Sequence, residues 1–125
     1  EHVGLMTEVY FLYYEEHDWA AAVRRAGYKI ACQGKSYILH KESISTGKDS
    51  PLKSYYINRN RILYARRNFK PVHVLLSMVF LCFVSVPKNT LVFILKRKFK
   101  HLVVYWKALF WNLSHYREVK DQVKL

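Results

Sequence analysis

Hydrophobic and polar residues form short blocks over the first part of the chain, and these blocks predict small elements. Residues 9–14 are an aromatic run that predicts either a buried strand or a packed turn. Asp18 is placed to cap a short helix, and Gly27 is placed just past its last turn. Residues 28–31 and 36–40 alternate as two short strands around a turn. We therefore expect one helix followed by a strand pair.

The second part of the chain has the longer periods of helices. Ser50 and Pro51 predict a helix start, with serine as cap and proline at the first position, and the helix is expected to run to about residue 68. Residues 72–86 are almost wholly apolar. As a helix they would span roughly 22 Å, whereas a bilayer core needs about 20 residues. The pattern favours a buried or interfacial helix here over a spanning one.

Composition excludes several classes of protein. The 125 residues are 51% hydrophobic and 16% aromatic, which excludes a disordered chain. Two cysteines, Cys32 and Cys82, are too few for a disulfide framework or a structural zinc site. The length suits one domain with a core.

The net charge of +12 is unevenly distributed. Residues 1–50 carry −1 and residues 51–125 carry +13, which predicts an anionic partner for the second part, either nucleic acid or a membrane. Apolar segments beside a basic cluster and tryptophans favour a helix lying in a membrane surface, although such a cluster also suits a solvated face. The predicted membrane-contacting residues are Lys96, Arg97, Lys98, Lys100, Trp106 and Trp111.

Acidic residues cluster at the predicted helix start. Glu15, Glu16 and Asp18 lie within four positions, and clustered carboxylates repel one another. A carboxylate in this position can act as a general base toward a hydroxyl, and His40 could bind a divalent cation. A solvated helix start that favours the helix dipole is the structural alternative.

Four ordered motifs resemble a known family. Residues 8–19 read EVYFLYYEEHDW, residues 24–29 RRAGYK, residues 40–43 HKES and residues 54–60 SYYINRN. In this order and spacing they resemble the later half of a family 2 inverting glycosyltransferase, most similar to rhamnosyltransferase-like bacterial members that build surface polysaccharide.

The resemblance implies roles for individual acidic residues and a histidine. Glu16 matches the catalytic base that deprotonates the acceptor hydroxyl, with Glu15 as a rival because a glutamate stands where the family has an aspartate. Asp18 matches the second acidic position. His40 matches the ligand of a divalent metal, Mg²⁺ or Mn²⁺, on the sugar-nucleotide diphosphate.

The resemblance also implies substrate-binding residues further along the chain. Ser43 and Ser45 fall in the loop that closes near the donor, and Arg59 and Asn60 match an Arg-Asn pair that could face phosphate or a carboxylate. A structural role for this pair is the alternative. Both residues lie on the apolar line of their helix, where they must be hydrogen-bonded, and they could tie that helix to the loop that carries the carboxylates.

The implied fold class is α+β and helix-rich, the C-terminal portion of a GT-A (Rossmann-like α/β) domain with a small strand pair and C-terminal helices. Residues 1–70 would form the acceptor-side part and residues 71–125 a membrane-associating part. The family's nucleotide-binding half and its Asp-x-Asp motif are not found in these residues, so we expect the chain to be part of a longer enzyme and inactive alone.

The expected partners are a nucleotide sugar, a saccharide or lipid-linked acceptor and an anionic membrane surface, with a homo-oligomer possible and no nucleic acid. The expected location is peripheral, on the cytoplasmic face of the inner membrane. The alternative functions are a non-enzymatic basic module that binds nucleic acid and a membrane-anchored module.

Overall fold

The computed structural model describes residues 3–37 and 49–116, and 72% of these residues are helical. A 3₁₀ turn, Glu8–Tyr10, precedes the first α-helix. The α-helices are α1 (Glu15–Arg25), α2 (Pro51–Asn68), α3 (Pro71–Phe80), α4 (Val86–Leu95) and α5 (Phe99–Ser114), with a π-helical turn, Leu81–Ser85, between α3 and α4.

The α+β prediction is wrong, because the described ranges contain no strand. Residues 28–37 are extended or turn-like and exposed throughout, and Tyr28 and Ile30 each expose more than half of their surface. A strand pair needs one face buried against another layer, and these side chains have no such layer. The last part of the second predicted strand, residues 38–40, lies outside the described residues.

The two predicted helix starts have different outcomes. α2 begins as expected: the Ser50 hydroxyl accepts a hydrogen bond from the Lys53 amide at 3.1 Å, and Pro51 occupies the first turn. α1 begins earlier than expected, after Tyr14 in a left-handed conformation, so Asp18 lies inside the helix and does not cap it. The prediction that Gly27 follows the end of α1 is confirmed, with a φ of 87° that suits glycine.

The predicted apolar segment extends further than its sequence boundaries. α3, the π turn and α4 form one continuous helix of 25 residues, Pro71–Leu95, here called the apolar helix. Pro87 does not end it. Proline lacks an N–H and its ring crowds the carbonyl four residues earlier, and the π-helical turn just before Pro87 lies where that carbonyl must be displaced.

α2 and α5 pack against each other and run in the same direction. The apolar helix lies between them in the sequence and runs back in the opposite direction. The common direction of α2 and α5 is fixed by contacts at two levels: Lys98 pairs with Asp49 near both N-termini, and the Asn112 amide donates to the Arg59 carbonyl oxygen at 3.1 Å further along. The two predicted parts of the chain, divided at residue 70, are therefore in close contact. The buried apolar residues are Tyr10, Ile62, Leu63, Ala65, Leu81, Tyr105 and Ala108.

Candidate functional site

The acidic residues follow a backbone segment of unusual conformation, residues 9–14, here called the carboxylate loop. Phe11, Tyr13 and Tyr14 have φ angles of 61°, 63° and 77°. Positive φ is costly for bulky side chains, at roughly 1–3 kcal/mol each. Three such residues in four positions persist only if the surrounding structure holds them.

Asn60 of α2 supplies much of that support. Its side chain is fully buried, and Nδ2 donates to the carbonyl oxygens of Tyr10 at 3.0 Å, Leu12 at 2.6 Å and Tyr13 at 2.9 Å. These carbonyls belong to a turn that has no strand or helix partner for them. The two hydrogens of one amide group, one of them shared, therefore serve three backbone acceptors of the carboxylate loop.

Arg59 extends this contact. Its Nη2 donates to the carbonyl oxygens of Val9 at 2.7 Å and Tyr10 at 2.8 Å, and its Nε donates to Asn60 Oδ1 at 2.8 Å. The guanidinium thus fixes both the loop and the orientation of the Asn60 amide. Arg59 and Asn60 therefore join α2 to the backbone of the carboxylate loop, which is the contact that the structural alternative predicts.

Aromatic rings enclose the Arg59 guanidinium. Its central carbon lies 4.5 Å from the ring centre of Trp111 and 4.8 Å from that of Tyr56. Burial of the charge lowers the pKa of Arg59, and the ring faces partly offset the lost hydration. Trp111, predicted as a membrane contact, therefore contributes to the interior beside the loop.

Asp18 joins α1 to the end of α2. The carboxylate is buried and accepts hydrogen bonds from the Tyr10 hydroxyl at 2.9 Å, from Arg67 Nη2 at 3.1 Å and from Asn68. Burial alone would raise the pKa of Asp18, but the hydrogen bonds from Arg67, Asn68 and Tyr10 outweigh it and hold the pKa below its usual value. Burial beside this carboxylate raises the pKa of the Tyr10 phenol.

The two glutamates lie at the first turn of α1, which favours negative charge. The Glu16 side chain is 57% exposed, and its Oε1 lies 3.0 Å from Nδ1 of His17. The Glu15 Oε2 atom is buried and accepts no hydrogen bond in the part of the chain that the structure describes. Glu16 is therefore open to a substrate, whereas Asp18 is already fully engaged.

An aromatic group borders the glutamates. The Tyr14 ring lies 5.4 Å from the His17 ring and 5.7 Å from the Tyr64 ring, centre to centre. None of these three was singled out from the sequence for the site. Tyr64 follows Asn60 by one helical turn, and this spacing is the signal that could have placed it beside the loop.

Several predicted residues lie outside the described residues, namely His40, Ser43 and Ser45. Within residues 3–37 and 49–116, no group of three or more His, Cys, Asp or Glu side chains could hold a metal ion. The predicted metal ligand, His40, is not among these residues, so the divalent metal stays a prediction.

The predicted basic cluster, residues 96–100, follows the end of the apolar helix. Lys96 and Arg97 are exposed, and Arg97 turns the chain with a φ of 53°. Lys98 is not free, since it pairs with Asp49. Lys100 lies in the first turn of α5 and is exposed.

An exposed apolar face covers the outer side of the apolar helix and of α5. On each helix its residues recur at intervals of three and four, which places them in one stripe. Only 6% of the most apolar window of the apolar helix is buried, and by length and hydropathy this helix could cross a membrane. The face comprises Val72, Leu75, Leu76, Val79, Phe80, Phe83, Val84, Leu91, Ile94 and Leu95 of the apolar helix and Phe99, Val103, Trp106, Phe110 and Leu113 of α5.

Comparison of the chain with protein-family models, curated proteins and solved structures finds no match.

Proposed function

We propose that this chain is the acceptor-side part of an inverting glycosyltransferase that acts at a bacterial membrane surface in polysaccharide synthesis. The observation that carries the proposal is the carboxylate loop. Arg59 and Asn60 hold it in a strained conformation, and strained backbone held by its surroundings is typical of functional sites. The loop leads directly into Glu15 and the exposed Glu16. The four ordered motifs supply the reaction class.

In the proposed reaction, the Glu16 carboxylate accepts the proton of an acceptor hydroxyl. The hydroxyl oxygen forms a bond to the anomeric carbon of the donor sugar as the bond from that carbon to the diphosphate breaks. The nucleotide diphosphate leaves with the electron pair, and the single displacement inverts the anomeric configuration. Glu15 is the second candidate for the base, because one of its oxygens is buried without a described partner.

The exposed apolar face supports the membrane part of the proposal. Rows of exposed apolar residues along two helices need a cover, and the exposed cations Lys100 and Lys107 flank the α5 stripe. The inner side of the apolar helix packs on α2, which carries four arginines between residues 59 and 67. A spanning arrangement would bring these charges into hydrocarbon, so a position in the membrane plane is favoured.

The test of the reaction replaces each glutamate by glutamine in the protein that joins this chain to a nucleotide-sugar-binding half. Glu16→Gln is expected to lower the rate of transfer about a hundredfold or more, because it removes a general base. Glu8→Gln is the matched control, since Glu8 is an exposed acid of the preceding 3₁₀ turn.

The measurement is sugar transfer at saturating donor, with circular dichroism to show that each variant is folded. Loss of transfer in Glu15→Gln with Glu16→Gln unchanged would assign the base to Glu15. Full activity in both variants would overturn the proposed role of the loop.

A further inference from the structure

A groove of about 550 Å³ lies between α2 and α3, beside the carboxylate loop. Its volume is in the range of sites that bind small molecules. Tyr14 and Tyr64 line the end near the loop, Leu76 and Phe80 line its length, and Arg61 and Ser85 lie together at the far end. The groove is therefore apolar with one cationic end.

Arg61 differs from the neighbouring arginines of α2 in its partners. Arg59 donates to backbone carbonyls, Arg66 donates to the carbonyl oxygens of Asn112 and Tyr116, and Arg67 binds Asp18. Arg61 is exposed, and its Nη2 reaches only the Ser85 hydroxyl, at 3.5 Å. No carboxylate of the described residues pairs with it.

The π-helical turn places a hydroxyl beside this guanidinium. Ser85 is buried at the end of the turn and its oxygen accepts a hydrogen bond from Asn89 Nδ2 at 3.2 Å. With that acceptor position filled, the Ser85 hydroxyl can still donate. A guanidinium with several donors next to a donating hydroxyl is suited to phosphate oxygens.

The length of the apolar part suits a hydrocarbon chain. Leu76 and Ser85 are nine residues apart on one helix, which corresponds to about 13 Å along its axis. The groove opens next to the exposed apolar face, because Leu76 and Phe80 belong to both. A chain could therefore enter from a membrane that covers this face.

We propose that the groove between α2 and α3 binds one acyl chain of an anionic phospholipid, with the lipid phosphate on Arg61 and Ser85. The inference rests on the proposed membrane association and adds a defined lipid site to it. Because Tyr14 lines the groove and immediately precedes Glu15, the bound chain contacts the carboxylate loop. The lipid site and the glutamates are thereby adjacent.

The experiment uses the 125-residue chain on phosphatidylcholine vesicles that contain phosphatidylglycerol with a photoreactive group in its acyl chain. Crosslinked positions are mapped by mass spectrometry. Tyr64 and Ala65 line the groove without being exposed, and neither lines the second cavity, which lies between the apolar helix and α5, so labelling there reports a chain inside the groove. Leu91 and Leu95 lie on the exposed apolar face and report general lipid contact.

Crosslinks at Tyr64 and Ala65 are expected with phosphatidylglycerol, and at least threefold fewer are expected with a matched photoreactive diacylglycerol. Arg61→Gln is expected to reduce them at least threefold and Arg61→Lys to a smaller degree, with Leu91 and Leu95 unchanged. Arg24→Gln is the matched control, as an exposed arginine of α1.

Two results would overturn the lipid site. One is an absence of crosslinks at Tyr64 and Ala65 while Leu91 and Leu95 are labelled. The other is equal labelling of the groove in Arg61→Gln and wild type. In both cases labelling of the exposed face leaves membrane association standing, whereas the absence of all labelling would count against both proposals.

Discussion

The contact between α2 and the carboxylate loop differs from the contact between α2 and the apolar helix in what holds it together. The first is made of directional hydrogen bonds from Asn60 and Arg59 to backbone carbonyls, and it is buried. The second is made of apolar side chains and borders a groove, and its outer side is exposed.

Globular proteins usually bury apolar side chains and expose polar ones, and this molecule departs from that distribution. Among the described residues, five polar or charged side chains are buried, against seven apolar ones, while long rows of apolar residues lie outside. Buried polar groups are retained only when hydrogen-bonded, and they fix geometry more strictly than apolar contacts do. The first contact thus specifies one loop conformation, and the second leaves a surface for a partner.

The largest expected effect on stability comes from Asp18→Asn, in the hydrogen-bond network that joins Asp18 to Tyr10 and to the end of α2. The change leaves Arg67 without its buried counter-charge, and breaking a buried ion pair costs about 3–5 kcal/mol. We expect the free energy of unfolding, measured by urea titration, to fall by about this amount. Glu16→Gln is the control, because Glu16 is exposed and pairs only with His17.

The same variant tests the pH dependence. Because the folded-state pKa of Asp18 lies below its usual value, its stabilisation is present above about pH 4 and is lost as the pH falls further. The wild type should therefore lose stability between about pH 4 and pH 2 more steeply than Asp18→Asn. Equal slopes would contradict the assigned network.

Asn60→Ala is expected to have the next largest effect. The carbonyls of Leu12 and Tyr13 lose the Asn60 donor, whereas that of Tyr10 keeps Arg59, and unsatisfied buried groups cost about 1–3 kcal/mol. Hydrogen exchange of the amides of residues 11–14 should accelerate. Asn58→Ala removes only one bond, to the Ser54 carbonyl of its own helix, and should change little. Similar losses in the two variants would argue that Asn60 does not hold the loop.

The smallest expected effect concerns the exposed apolar face. Leu113→Ser should leave the free energy of unfolding nearly unchanged, because Leu113 is 71% exposed, but it should weaken vesicle binding severalfold, by about 1 kcal/mol. Leu5→Ser is the matched control, an exposed leucine away from the face.

The electrostatic part of membrane binding is measured with the same vesicles. Binding should require anionic lipid and weaken with salt, since each Lys or Arg near such a surface contributes about 1 kcal/mol. Unchanged binding to neutral vesicles at high salt would contradict a contribution from the basic cluster, residues 96–100, and would leave the apolar face as the source of binding.

Local signals in the sequence were sufficient for the ends of single helices. Ser50 and Pro51 start α2 and Gly27 follows α1, because capping and backbone freedom depend on neighbours along the chain. The helix start at residue 15 was missed because Tyr14 adopts positive φ, which bulky residues rarely do unless distant groups impose it.

The sequence also indicated that Arg59 and Asn60 need partners, since polar residues on an apolar line must be satisfied. It could not predict the partners of Arg61 and Arg67, because these depend on which residues of other helices face them: Ser85 for Arg61 and Asp18 for Arg67. Alternation alone predicted strands at residues 28–31, but a strand needs a second layer to cover one face.

Only the tertiary structure decided which groups remain available. The sequence by itself determined the acidic cluster, the basic second part and the helical periodicity, all of which are properties of composition and spacing. Whether Asp18 or Glu16 is engaged, and whether an apolar helix is covered, depends on contacts between residues some fifty positions apart. Such contacts arise from packing, which spacing along the chain does not encode.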